Sequence, residues 1–321
     1  MEAEVGAPFS PRRTGTRAAF ARQRRWAPAL RGARARPIAG STLQNVSEST
    51  HDRPEMWTAG AKELAAEAAE HLKYRCGADS YEAVVVLGSG WSGAAESLGL
   101  SDIELDMSEL PGFVAPRATG HSPKVRSMWV GTKRIAVFLG RTHLYEGHGA
   151  MQVAHAVRTG IAAGAGVALL TGSAGSLRTD FAVGQPVIVR DHINLTGTSP
   201  LLGPDFVDLS NAYAPWLRDV AREADEALTE GIYAALPGPQ FQTPAELAML
   251  RSAGVDLVGH SLALETIAAV EMGAEVLGLA MVSNDAIGAV FEGVDSEQAL
   301  SVVQQRARNL GELLNRVLLR V

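Results

Sequence analysis

The stretch Ile135-Ala136-Val137-Phe138-Leu139-Gly140-Arg141-Thr142-His143-Leu144-Tyr145-Glu146-Gly147-His148 decides the fold class. Five apolar residues form a buried strand. A cation, an imidazole, a phenol and a carboxylate then leave its end within a few positions. In open α/β sheets, ligands bind beyond the carboxyl ends of the strands. Arg141 offers a planar fork for a phosphate, and His143 offers a second donor. Read alone, the same segment is also a surface loop of mixed charge.

Two more segments add weight. Residues 83–87 are apolar and β-branched and run into Gly88-Ser89-Gly90-Trp91-Ser92-Gly93. Glycines there let backbone N–H groups approach an anion, and Ser89 adds a hydroxyl. Gly88, Gly90 and Gly93 also satisfy the dinucleotide spacing, with the acid of Ile103-Glu104-Leu105 placed for a ribose. Residues 167–171 run in the same way into Gly172-Ser173-Ala174-Gly175-Ser176, which reads as a second anion turn. A dinucleotide fold needs neither that turn nor the Arg/His/Tyr/Glu loop. A one-phosphate site built from three strand ends uses all three segments.

The chain has 321 residues, 46% of them hydrophobic, enough for one large α/β domain over 53–321. Net charge is −6, and the core region has no basic run, which speaks against a nucleic-acid partner there. Cys76 is the only cysteine, so no intrachain disulfide forms, which fits a reducing cytoplasm. No stretch has the ~18 uninterrupted apolar residues of a membrane helix. The run 262–282 is broken by Glu265, Glu271 and Glu275. Residues 1–52 are Arg-rich, acid-poor and without apolar periodicity, the signature of a disordered tail. Such a tail also reads as a transit peptide, as a basic arm for nucleic acid or membrane, or as sequence upstream of a true start at Met56.

Strands are predicted at 83–87, 134–139, 167–171, 186–189, 232–235, 257–259 and 276–282. Helices are predicted at 57–75, 151–163, 214–228, 244–253, 262–272 and 298–319. The alternation specifies a three-layer α/β fold.

The ordered motifs resemble the trimeric purine nucleoside phosphorylases, the actinobacterial branch in particular, over about 57–321. The resemblance rests on the Gly88–Ser89–Gly90 turn, residues 140–147, residues 171–175 and Arg190-Asp191-His192-Ile193-Asn194-Leu195-Thr196-Gly197. It continues in Pro237-Gly238-Pro239-Gln240-Phe241-Gln242-Thr243, Val258-Gly259-His260-Ser261 and Ser283-Asn284. It implies a twisted mixed sheet with a small distorted barrel, flanked by helices, in a homotrimer. It also implies cleavage of purine (2′-deoxy)ribonucleosides by phosphate, giving free purine and (2-deoxy)ribose 1-phosphate. Such catalysis is positioning and electrostatics, with phosphate as co-substrate and no metal or organic cofactor.

The resemblance assigns phosphate contacts to Ser89, Arg141, His143 and Ser261 and to backbone N–H groups near Ser173 and Ala174. It places Tyr145, Gly259 and His260 around the sugar, and Phe241, Gln242 and Asn284 around the base. His143, Asn284 and Glu146 are the candidate catalytic residues. Glu146 acts as an orienter, because a bare carboxylate beside phosphate would repel it. Plainer readings exist. His143 is also read as a structural histidine on a carbonyl, Tyr145 as a half-buried aromatic with its hydroxyl in water, and Phe206 as ordinary packing. In the family reading, Phe206 reaches a neighbouring subunit's site.

Three positions depart from the family pattern. Gln242 stands where a glutamate accepts from N1–H of a 6-oxopurine, His260 where a methionine meets the sugar, and Ser296 where a histidine lies near the 5′-hydroxyl. Asp285 brings a carboxylate near the base. These departures keep two alternatives open, an adenosine- or methylthioadenosine-preferring phosphorylase and a weakened paralogue that only binds purine or phosphate. An oxidoreductase using Gly88, Gly90 and Gly93 leaves Arg141, His143 and Ser261 without a role.

Overall fold

Strand β1 (Ala83–Val86) alternates between two cores. Val84 and Val86 pack into one hydrophobic cluster, while Ala83, Val85 and the following Leu87 pack into another. A strand buried on both faces reads as a continuous apolar run, as this one does. The computed structural model describes residues 54–288 and 293–321, with side chains from Gly60 onward. The tail expected over 1–52, and Val290 in the segment leading to Ser296, lie outside the described residues.

After α1 (Pro54–Cys76) and β1 come α2 (Ala95–Leu98), β2 (Leu100–Asp106), β3 (Lys124–Val130) and β4 (Lys133–Phe138). Next are α3 (Ala150–Val153), α4 (His155–Ala162), β5 (Val167–Ser176), β6 (Pro186–Asn194), α5 (Pro215–Ala224) and β7 (Thr229–Ala235). The chain finishes with α6 (Pro244–Ser252), β8 (Leu257–Gly259), α7 (Ala263–Glu271), β9 (Glu275–Asp285) and α8 (Ser296–Leu318). The sheet order is β2-β3-β4-β1-β5-β8-β7-β6-β9, and β5 also pairs with β9. That extra pairing closes β5, β8, β7, β6 and β9 into a five-stranded barrel, from which β1, β4, β3 and β2 extend. Helices α1, α4 and α7 cover one face, and α2, α5 and α8 the other. This is the three-layer mixed α/β fold expected.

Several predicted boundaries move. The strand predicted at 167–171 continues through Ser176, so Gly172–Gly175 is not a turn. β1 pairs with β5 only as far as Leu170, and β8 joins only at Gly175. Between them, one edge of β5 at Thr171–Ala174 has no strand beside it, and the sheet opens there. The predicted helix 151–163 is divided at Ala154, whose ψ of −2° leaves the helical value. The helix predicted to 228 stops at Ala224, because Asp225 is extended. β2 and β3 were not predicted as such. β2 is mostly exposed and β3 mixes charge with apolar residues, so neither shows a clean period.

The dinucleotide reading fails on topology. Glu104 lies on β2, an antiparallel edge strand, whereas the neighbours of β1 are β4 and β5. Glu104 pairs with Arg126 instead. The segment after Gly88 forms a single 3₁₀ turn, Ser92–Ala94, and the four-residue α2.

Candidate active site

Beyond β4, Gly140 lets the chain pass tightly against Ser122, whose carbonyl would lie 2.7 Å from a Cβ at that position. Arg141 follows and is 2% exposed. Its Nε donates to Glu265 Oε1 at 2.8 Å, its Nη1 to the Thr171 carbonyl, and its Nη2 to the Val86 carbonyl at 3.3 Å. These partners belong to α7, β5 and the end of β1. A guanidinium has five N–H groups, so two remain without a partner among the described residues. Glu265 is fully buried, and a buried ion pair is tolerated only when its other lone pairs are also satisfied. Its Oε2 accepts from the Leu262 N–H at 3.2 Å. Leu262 has φ 68°, an unusual value for a branched residue, and it directly follows Ser261. One carboxylate therefore holds both the Arg141 fork and the turn that carries Ser261.

Ser261 donates its N–H to the Tyr233 hydroxyl at 3.2 Å. Its Oγ lies against Gly172, where a Cβ would come within 2.9 Å. Ser89 Oγ lies 2.8 Å from His121 Nε2, and His121 Nδ1 accepts from the Arg141 backbone N–H at 3.1 Å. The His121 proton therefore sits on Nε2 and is donated to Ser89. Burial, with His143 and Arg141 beside it, holds the His121 pKa well below the ordinary imidazole value.

His143 Nδ1 lies 3.1 Å from Glu146 Oε1, which also accepts the His143 backbone N–H at 2.7 Å. Glu146 Oε2 accepts from the Arg117 N–H at 2.6 Å. A carboxylate only accepts, so Nδ1 carries the ring proton and Nε2 is the free nitrogen. The ring is thus held by a carboxylate rather than by the carbonyl of the plainer reading. Burial lowers the His143 pKa against the opposing pull of Glu146, and the Arg141 charge adds to the lowering. Burial raises the Glu146 carboxyl, but hydrogen bonds from His143 and Arg117 outweigh it and keep the group below its usual range. Glu146 stands behind His143 with both oxygens engaged, the geometry of an orienter.

A row of rings leads away from these donors. His143 stacks on Tyr145 with centroids 4.7 Å apart, and Tyr145 meets His260 edge-on at 6.1 Å. Burial pushes the Tyr145 hydroxyl up to about 12, so it stays a neutral donor. The row borders a cavity of about 280 Å³ lined by Ser173, Ala174, Phe241, Gln242, Gly259, His260, Asn284 and Val294, among others. Asn284 sits near the end of β9, with Oδ1 3.0 Å from Ser283 Oγ. Its Nδ2 would lie 3.2 Å from a Cβ on Gly175, so glycine there leaves the amide room. Gln242 Nε2 donates to the Gln240 carbonyl at 3.4 Å, leaving Oε1 as the amide's open acceptor. A Cβ on Gly259 would lie 2.2 Å from the Tyr233 hydroxyl, so that position also excludes a side chain.

The structure therefore gathers Ser89, Arg141, His143 and Ser261 through a shared network, with Ser173 and Ala174 on the open edge of β5. The base residues line the adjoining cavity. Three residues fall elsewhere. Ser296 is the exposed first residue of α8 and does not line this cavity; Val294 does. Asp285 is exposed and borders a neighbouring hollow with Asp295 and Gln298. Phe206 is fully exposed and does not reach the site of its own chain. Sequence reasoning missed His121 and missed Glu265 as a site residue. The one available signal was Glu265, a carboxylate within the apolar run that forms α7.

The arrangement offers anion donors on one side and, on the other, an amide pair and an aromatic ring for a flat heterocycle. A family model for the phosphorylase superfamily matches residues 82–319. The chain belongs to the phosphorylase superfamily. The purine nucleoside phosphorylase of Mycobacterium tuberculosis is 48% identical over 258 residues, covering 80% of this chain and 96% of that one. The enzyme of the same name from a Cellulomonas species is 48% identical over 230 residues, covering 70% and 82%. The crystal structure of Schistosoma mansoni purine nucleoside phosphorylase in complex with adenosine is 28% identical, with a TM-score of 0.73 over 80% of this chain and 96% of that one. Among the described residues of this superfamily member, no cluster of His, Cys, Asp or Glu could hold a metal ion. None of the described helices is long and apolar enough to cross a membrane.

Proposed function

We propose that this phosphorylase superfamily member is a purine nucleoside phosphorylase. It converts a purine nucleoside and phosphate into free purine and ribose 1-phosphate. The observation that carries the reading is the buried Arg141 and His143, with the part-buried Ser89 and Ser261, beside a cavity that ends in Asn284. Arg141 donates to hydrogenphosphate, Ser89 and Ser261 add hydroxyl donors, and the bare His143 Nε2 accepts the anion's one O–H. A phosphate oxygen forms the new bond to C1′ as the C1′–N9 bond breaks. The bonding electrons pass to the purine, and Asn284 Nδ2 donates to N7 as charge builds there. Glu146 fixes the His143 ring so that Nε2 faces the anion. The reaction involves no net redox change and uses phosphate as co-substrate, without metal or organic cofactor.

The fully exposed Phe206 supports a homotrimer in which each subunit extends this ring to its neighbour. The free, buried Cys76 supports a reducing, cytoplasmic setting. Gln242 favours a second reading of base choice, one that tolerates 6-aminopurines, because an amide can turn either its donor or its acceptor to N1. The test is incubation with inosine, guanosine, deoxyinosine, adenosine and methylthioadenosine, each with and without phosphate. At least one releases purine in a phosphate-dependent way, and uridine releases no base. Survival of every purine nucleoside with excess enzyme rules the reading out.

A further inference from the structure

His260 stands between the phosphate donors and the base residues, and the proposed reaction leaves its chemistry unused. It follows Gly259 at the end of β8 and precedes Ser261. Its Nδ1 lies 3.2 Å from the Leu236 carbonyl. A carbonyl only accepts, so Nδ1 carries the proton and the neutral ring keeps a bare lone pair on Nε2. The Nδ1 edge is closed by the adjacent turn. A Cβ on Gly238 would lie 3.0 Å from Nδ1 and 3.1 Å from Cγ. The ring borders the cavity, so the edge that meets the cavity carries Nε2, which has no partner among the described residues. Burial lowers the pKa of His260 and so favours this acceptor form.

We infer that His260 Nε2 accepts a hydrogen bond from the 2′-hydroxyl of a bound ribonucleoside, so that the site prefers ribose to 2-deoxyribose. The inference rests on the purine nucleoside phosphorylase reading. Stereochemistry selects the hydroxyl. In a β-nucleoside the 2′- and 3′-hydroxyls lie on the ring face opposite the base, which is the face that phosphate attacks. The 5′-carbon lies on the face of the base. The 2′-hydroxyl is on the carbon next to C1′, and His260 is the chain neighbour of the phosphate donor Ser261. A part-buried acceptor left without a donor by a deoxy sugar makes the discrimination. The methionine expected here from the family pattern would offer only a weak sulfur acceptor.

The test compares kcat/KM for inosine, 2′-deoxyinosine and 3′-deoxyinosine in the natural protein and in His260→Met, at saturating phosphate. The inosine preference over 2′-deoxyinosine falls about tenfold in His260→Met, equivalent to ~1.4 kcal/mol. The preference over 3′-deoxyinosine stays. An unchanged 2′ ratio, or a loss confined to the 3′ comparison, overturns the inference. A second measurement needs neither the variant nor turnover. Calorimetric titration of the natural protein gives about tenfold tighter binding of ribose 1-phosphate than of 2-deoxyribose 1-phosphate, and equal affinities overturn the inference. Discriminating binding without nucleoside cleavage would retain the role of His260 and defeat the enzymatic reading alone.

Discussion

At Gln242, one atom separates an amide from the carboxylate that the family pattern calls for. The Gln242 amide now leans Nε2 on Gln240, at the outer limit of a hydrogen bond, so turning it over costs little. Oε1 can then accept from the N1–H of hypoxanthine, or Nε2 can donate to the N1 of adenine. A carboxylate suits only the first, and its charged hydrogen bond is roughly twice as strong. Gln242→Glu therefore raises the inosine-to-adenosine ratio of kcat/KM, by tenfold for each ~1.4 kcal/mol of added discrimination. Steady-state rates on both nucleosides at saturating phosphate check this. An unchanged or lower ratio would mean that Gln242 does not face N1. The residues with direct chemistry were legible because they lie in short contiguous motifs at strand ends. His121 and Glu265 were not. They meet Arg141 across 20 and 124 positions of chain, and no local pattern records such a meeting.

At the scale of elements, close packing between helix and sheet fixes where the strand ends lie. Gly160 brings α4 onto β1 so tightly that a Cβ would fall 2.3 Å from Val84 Cγ2 and 2.5 Å from Val84 Cβ. Those atoms belong to a short, branched side chain in a filled core and cannot swing aside. Gly160→Ala gains helix propensity but loses more to overpacking, for a net destabilisation of roughly 1–3 kcal/mol. Urea unfolding reads this directly, and a variant as stable as the parent would contradict the packing account. The strands buried on both faces, β1, β4 and β9, announce themselves as apolar runs. The amphipathic helices do so by their period. Two things were hidden. β2 and β3 form a sheet margin whose exposed faces carry charge, so their pattern resembles loop. The small residues after Thr171 suggest a turn, yet they continue β5, because β9 pairs with them throughout. Their openness comes from the missing neighbour on the other edge, a property of strand order rather than of local sequence.

Across the whole molecule, burial has collected imidazoles in their neutral form. His121, His143, His155, His192 and His260 all have pKa values lowered first by burial. In the unfolded chain each returns to about 6.5. The unfolded state then binds more protons below that value. The stability is therefore fully present above about pH 6.5 and is lost as the pH falls toward the folded-state values. Each histidine contributes up to about 1.4 kcal/mol per pH unit in that window. Denaturant midpoints measured at pH 7.5 and 5.5 should fall on acidification, and a constant or rising midpoint would contradict the assignment. The same buried, neutral surroundings are what the proposed chemistry uses, since hydrogen bonds to an anion gain strength where water is excluded. The central claim is that phosphate held at Arg141 is the attacking group. Phosphorus NMR of inosine with inorganic phosphate tests it most directly. The account predicts that ribose 1-phosphate appears in step with hypoxanthine, that omitting phosphate stops both, and that Arg141→Ala sharply slows both. Hypoxanthine released at the same rate without phosphate, with free ribose as the other product, would contradict it.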